Sequence, residues 1–198
     1  MARPLAANYE DKRRAILKSA AALFAVQGYD RASMNEIAAH CGVSKALLYH
    51  YYDNKEHLLF DIIHAHLDDL VAAVDVGEGG PRERLRAMIG GLLEAYQHAD
   101  EEHQIQISGM KRLPEERVAE LVALERVLVR TFSEAVAALH PALKTRPNLL
   151  KPITMNLFGM MNWKFMWFRE GGPISHEAYA DLVMTMLDAG AREALATG

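Results

Sequence analysis

The sequence predicts an all-α protein of about nine helices. Apolar residues recur at three- and four-residue spacing along nearly the whole chain, and no stretch alternates apolar with polar long enough to make a strand. Glycine and proline fall between these periodic stretches, where helices stop and start.

The elements follow in order. Ile16, Ala20, Leu23 and Phe24 share a helical face, and Gly28 ends that helix. Ser33 with Glu36 three positions on reads as a capping box: hydroxyl and carboxylate exchange bonds with the free N–H groups of a helix start. It opens a short helix holding Ile37 and Ala38. Cys41-Gly42-Val43 breaks that helix, and Ser44 caps the next, from Lys45 to about Tyr52. Asp53-Asn54 breaks again and caps a long helix from Lys55 to about Val76. Gly77-Glu78-Gly79-Gly80-Pro81 is the clearest linker. Pro81 suits the first turn of a helix carrying Leu85, Met88, Ile89, Leu92 and Tyr96. Pro114 starts another, with Val118, Leu121, Val122, Leu128 and Phe132. Pro141 to Pro147 reads as a loop. A very apolar helix spans about Leu149 to Phe168, Gly171-Gly172-Pro173 ends it, and Ser175 caps the last helix.

A chain of 198 residues is one ordinary domain, or a small module fused to a larger one. Hydrophobic residues at 51% and charged residues at 24% make a globular balance. A single cysteine, Cys41, excludes an intrachain disulfide framework and a multi-cysteine zinc site. No apolar run approaches the roughly 20 residues of a membrane span, and the polar N-terminus lacks the apolar core of a signal peptide. The expectation is a cytoplasmic protein with no cofactor and no membrane partner.

The formal net charge of -4 argues against a nucleic-acid partner until it is divided. Residues 1–55 hold eight Lys/Arg against five Asp/Glu, a net of +3. The remainder holds 14 against 21, a net of −7. A basic head on an acidic body directs a polyanion to the head alone. The charge therefore divides the chain into a basic head over residues 1–55 and an acidic body over 56–198.

Two short helices joined by a glycine-containing turn form the helix-turn-helix pattern. Ala38 is small where the helices cross. Gly42 relieves the turn, Val43 plugs the gap, and Ile37 and Leu48 bury the inner faces. The second helix is then free to present its N-terminal end to a major groove.

The run Gly28-Tyr29, Ala32 to Ala38, Cys41 to Tyr49, Tyr51-Tyr52, Lys55-Glu56 and Leu58-Leu59 closely resembles the DNA-binding domain of TetR-family repressors, in register over about residues 10–60. It departs from the usual family pattern at Ala46, where glycine is common. The resemblance implies a one-component repressor, with a DNA-binding domain over residues 1–55 and a ligand-binding and dimerisation domain over 56–198, that binds a partly palindromic double-stranded operator as a homodimer. A small effector releases it, and the two-fold symmetry of protein and operator match. Chemistry and resemblance together assign the DNA-facing residues. Ser33, at a helix N-terminus, faces a phosphate. Tyr49 presents its hydroxyl to the backbone, and Lys55 supplies a phosphate charge. Ser44, Lys45, Ala46, Leu47, His50 and Tyr51 form the exposed part of the recognition helix. There, Lys45 and His50 offer donors to guanine or phosphate, and Ala46 and Leu47 meet thymine methyls.

Rival constellations are weaker. His57, Asp61, His64 and Asp68 share one face of the long helix at spacing that can ligate a transition metal, but a solvated face has the same appearance. A metal-sensing or redox-sensing regulator using this stripe or Cys41 is one alternative, and a multidrug-sensing efflux regulator is another. No metal site is expected. No nucleophile motif, phosphate loop or dinucleotide fingerprint is present, so an enzyme is not expected.

The segment Met155 to Phe168 is apolar all round, which predicts burial on every side. Two burials are available: a homodimer interface formed by the last two helices, and the wall of a ligand cavity. The expected ligand-facing residues are Phe158, Asn162, Trp163, Met166 and Trp167. Asn162 in apolar company needs a hydrogen-bond partner. The run from Asn162 to Ser175 is also similar to the C-terminal region of a TetR subgroup responding to acyl-CoA thioesters. That similarity implies an elongated apolar acyl pocket with a basic mouth, for which Arg112, Arg126, Arg130 and Lys164 are the candidate phosphate partners.

Overall fold

The computed structural model describes residues 3–75 and 79–197, with side chains from Tyr9 onward. The described residues contain nine α-helices and no strand. They are α1 (Arg3–Gln27), α2 (Met34–His40), α3 (Lys45–Tyr51), α4 (Lys55–Ala73), α5 (Pro81–Gln97), α6 (Asp100–Gly109), α7 (Glu115–Leu139), α8 (Pro147–Asn162) and α9 (His176–Thr197). Short 3₁₀ turns follow α6 (Met110–Arg112), α7 (Pro141–Thr145) and α8 (Lys164–Met166). None of the described helices is long and apolar enough to cross a membrane.

Most of the expected caps are present. Gly28 ends α1 at φ +86°, its N–H on the Phe24 carbonyl at 2.9 Å. Ser33 and Glu36 form the capping box of α2, Ser44 caps α3, and Asn54 Oδ1 accepts from the His57 N–H at 2.8 Å to cap α4. Pro81 occupies the first turn of α5, and Ser175 Oγ accepts from the Ala178 N–H. Of the expected linker, Gly77 and Glu78 lie outside the described residues, as does Val76, the expected end of the fourth helix.

The chain packs as two compact units. One comprises residues 1–67 and 99–122, the other 68–98 and 123–198. The sequence boundary between residues 55 and 56 falls inside the first unit, which holds α4 as far as Leu67, α6 packed on α1, and α7 as far as Val122. In this unit Ile16, Leu17, Ala20 and Phe24 of α1, Ile37 and Ala38 of α2, Leu48 of α3, and Leu58, Leu59, Ile62 and Ile63 of α4 are buried. In the second unit α5, α8 and α9 pack together. Leu85, Ile89, Leu92, Leu157, Met161, Val183 and Leu187 fill its centre. A methyl group on Gly91 would lie 2.3 Å from the Ala73 carbonyl oxygen, so α4 and α5 approach closely enough there to require glycine.

Three elements differ from the sequence expectation. Helix α6 has no counterpart in it. The Pro141–Thr145 segment is a 3₁₀ turn where a loop is expected. The apolar helix expected through Phe168 stops at Asn162, where Trp163 takes φ −88°, ψ 1°. The chain tightens into a 3₁₀ turn that buries Lys164.

Candidate nucleic-acid interface

Helices α2 and α3 meet as the sequence requires. Ile37 and Leu48 are fully buried and Ala38 nearly so. Gly42 adopts φ +64°, and the Val43 N–H returns to the Ala38 carbonyl at 3.0 Å, closing the turn. Leu48 holds α3 by its inner face. Ser44, Lys45, Ala46, Tyr49 and His50 are left exposed, with Leu47 and Tyr51 half-buried. Lys45 Nζ lies 5.7 Å from the centre of the Tyr49 ring, which links two of the candidate contacts. Tyr51 stacks on Tyr9 with ring centres 4.7 Å apart, so part of its face is already covered. Tyr52 is buried in the core.

Ser33 is engaged in its cap. Its hydroxyl donates to Glu36 Oε2 at 2.7 Å and accepts from the Glu36 N–H at 3.3 Å. The Ser33 N–H also donates to Glu36 Oε2 at 2.8 Å. The two Ser33 donors, side chain and backbone, hold the Glu36 carboxyl below its ordinary range.

Lys55 stands differently from its expected role. Its ammonium is turned into the α1–α2 turn, where it donates to the carbonyls of Tyr29 (2.7 Å), Ala32 (2.9 Å) and Asp30 (3.3 Å). It also lies 4.3 Å from the centre of the Tyr29 ring. On the same turn, the Arg112 guanidinium forks onto the Asp30 carboxylate, Nη2 to Oδ2 at 2.8 Å and Nε to Oδ1 at 3.3 Å. That bond holds the Asp30 carboxyl below its ordinary range. Nothing in the local sequence signals Arg112, which is 82 positions from its partner.

The five residues expected to face a ligand do not share one environment. Phe158 is buried edge-on to Phe132 at 5.1 Å. Asn162 accepts from the Tyr96 hydroxyl at 2.8 Å, which answers the requirement for a partner. Trp163, Met166 and Trp167 are each more than half exposed, contrary to burial on every side. The physical reason is the end of α8: beyond Asn162 the helical face is lost. The 3₁₀ turn instead buries Lys164, whose Nζ sits 2.6 Å from His176 Nδ1 and 4.1 Å from the Phe168 ring centre. Of the candidate phosphate partners, Arg112 and Lys164 are thus engaged within the chain, and Arg126 and Arg130 are exposed on α7. A cavity of about 340 Å³ between α5 and α9 is lined by Arg86, Leu93, Glu94, His98, His176 and Glu177, none of which the sequence singled out.

The metal-spaced stripe is distributed among other partners. Asp61 receives Arg13 at 2.6 Å, His57 faces Asp53 at 3.8 Å, and His64 faces Glu120 at 3.7 Å. Among the described residues no three His, Cys, Asp or Glu side chains come together as a metal site. Cys41 is half-buried beside Ser19, and burial raises its thiol pKa, opposite to a reactive cysteine.

Comparison with known proteins gives two family matches. Residues 16–62 match a family described as bacterial regulatory proteins, tetR family. Residues 78–191 match one described as tetracyclin repressor-like, C-terminal domain. The crystal structure of a TetR-family transcriptional regulator from Bordetella parapertussis 12822 is similar at 33% identity and TM-score 0.80, covering 88% of this chain and 93% of that one. AibR, in a crystal structure with isovaleryl coenzyme A and operator DNA, is similar at 31% identity and TM-score 0.71, covering 88% and 97%. The transcriptional activator FasR of Mycolicibacterium smegmatis is 30% identical over 99 residues, 48% of this chain. The match spans less than half of FasR's own length, 45%.

Proposed function

The chain belongs to the TetR family of bacterial regulatory proteins, and from that premise we propose that it is a ligand-responsive DNA-binding regulator, a repressor released by a small apolar effector. The observation that carries the reading is the outer face of α3. Ser44, Lys45, Ala46, Tyr49 and His50 stand exposed on a helix that Leu48 anchors, at the basic end of an otherwise acidic chain. Such a face offers donors to base edges and a positive field to phosphates. Ser33, Leu47 and Tyr51 flank it. Residues 1–55 form the reading portion, and the rest bears the effector and dimer functions.

Two copies associate through α8 and α9, whose exposed Met155, Leu182 and Met186 leave apolar surface uncovered in the single chain. A partly palindromic operator then meets two copies of α3. The effector is an acyl-CoA thioester in this reading, supported by the likeness to AibR, whose structure holds isovaleryl coenzyme A. It acts by binding one conformer of the dimer better than the other. The protein turns over no substrate.

The test is selection of a duplex from random DNA by the purified chain, followed by gel shift with acyl-CoA thioesters of increasing chain length. Selection of an inverted repeat, released by one of the thioesters, is the expected result. Selection without release refutes the effector class, and failure to enrich any duplex refutes the DNA-binding reading.

A further inference from the structure

The turn between α1 and α2 is held by two cations that come from distant parts of the sequence. Lys55, the first residue of α4, has three N–H donors, and three carbonyls of the turn receive it. Arg112, in the 3₁₀ turn after α6, holds the Asp30 carboxylate with two of its nitrogens. Its third, Nη1, donates to the Ser108 carbonyl at 2.8 Å, which ties the fork to the end of α6. Both cations lie over the Tyr29 ring, at 4.3 Å for Lys55 and 5.8 Å for Arg112. Asp30 is therefore gripped at its backbone oxygen by one cation and at its side chain by the other. The next residue after the clamped Ala32 is Ser33, the cap of α2.

We infer that Lys55 and Arg112 are positioning residues, a clamp that sets where the α1–α2 turn places Ser33 and α2, and that Lys55 acts through this turn and not as a phosphate contact. The inference rests on reading α2 and α3 as the DNA-binding element. A phosphate oxygen would have to displace a carbonyl from the Lys55 ammonium, and that carbonyl would then need another donor. Asp30 is largely exposed, so the ion pair alone contributes little, and the clamp depends on the carbonyls and the pair together.

The test uses the full chain and two measurements. Hydrogen exchange of the peptide spanning Tyr29 to Glu36 is followed without DNA. Lys55→Met is expected to speed exchange there by about tenfold or more, Asp30→Asn by less, and Lys55→Arg, which keeps several donors, to leave it near the parent rate. Binding to a mixed-sequence 30-base-pair duplex is then titrated with KCl. Lys55→Met is expected to weaken binding with the salt slope unchanged, whereas Lys45→Met lowers the slope by about 0.9, one phosphate contact. Unchanged exchange in Lys55→Met, or a slope reduced by one contact in that variant, overturns the clamp. If the parent chain binds no duplex, the DNA-binding reading falls, and the exchange measurement still decides whether the turn is clamped.

Discussion

The Tyr96 hydroxyl donates to Asn162 Oδ1 at 2.8 Å, joining the last turn of α5 to the last residue of α8. Burial raises the Tyr96 hydroxyl pKa well above its ordinary value, so it stays a donor at any physiological pH. A bond of this kind fixes where α8 ends relative to α5. Asn162→Leu is expected to lower stability by about 1–3 kcal/mol and Tyr96→Phe by about 1 kcal/mol. In a urea-denaturation double-mutant cycle the pair should couple by about 0.5–1.5 kcal/mol. Strict additivity of the two variants would show that the bond contributes nothing.

Gly42 offers a cleaner test of the turn. Its φ of +64° lies in the left-handed region, and a methyl group built there meets nothing within 4 Å. The cost of Gly42→Ala is therefore purely conformational, about 1–2 kcal/mol. Urea midpoints of parent and variant measure it, and a neutral result would contradict the left-handed turn. Gly159, in the last turn of α8 with open space around it, should gain from alanine by a few tenths of a kcal/mol.

These residues also show what could be read in advance. The caps at Ser33, Ser44 and Asn54 were legible because donor and acceptor lie within three positions of each other. The helix-turn-helix was legible because Ala38, Gly42 and Leu48 answer local steric demands. The Arg112 fork on Asp30 was not, since nothing local to Arg112 points across 82 positions. Helix α6 is not legible in the sequence because its buried positions are His103, Ile105 and Gly109, which give no apolar stripe. Gly109 is there because a larger residue would press on Leu59, 3.2 Å from where its methyl would be. The early end of α8 is hidden because apolar residues dominate positions 155–168 and show no break where the helix stops.

His66 predicts how stability depends on pH. It is 3% exposed on α4, with its ring centre 5.8 Å from that of His103 on α6. Burial, and secondly the neighbouring His103, push its pKa down from 6.5 to about 3. The folded state thus keeps His66 neutral while the unfolded chain takes up a proton below pH 6.5. Stability is full above that value and is lost as pH falls from 6.5 toward 3, by up to about 1.4 kcal/mol per pH unit. His66→Phe should flatten the dependence by one proton between pH 6 and pH 4, read as the slope of urea-derived stability against pH. An unchanged slope would mean that His66 ionises equally in both states.

The outer faces of α8 and α9 carry the last prediction. Leu182 and Met186, four positions apart on α9, share a face and are 43% and 55% exposed. Met155 on α8 is 47% exposed. Single exposed apolar residues need no explanation, but these three lie on two helices that pack together. If two copies meet there, a carboxylate at Met186 must be desolvated without a partner in the dimer but not in the monomer. Met186→Glu with Leu182→Glu is then expected to raise the dimer dissociation constant on the order of 100-fold or more. Val26→Glu, at an 89% exposed position on α1, should leave it unchanged. Sedimentation velocity over a concentration series reads the difference. Operator affinity should fall with the dimer, since each half-site then binds alone and loses the gain of the linked second contact. A double variant that still sediments as a dimer would move the interface away from these two helices.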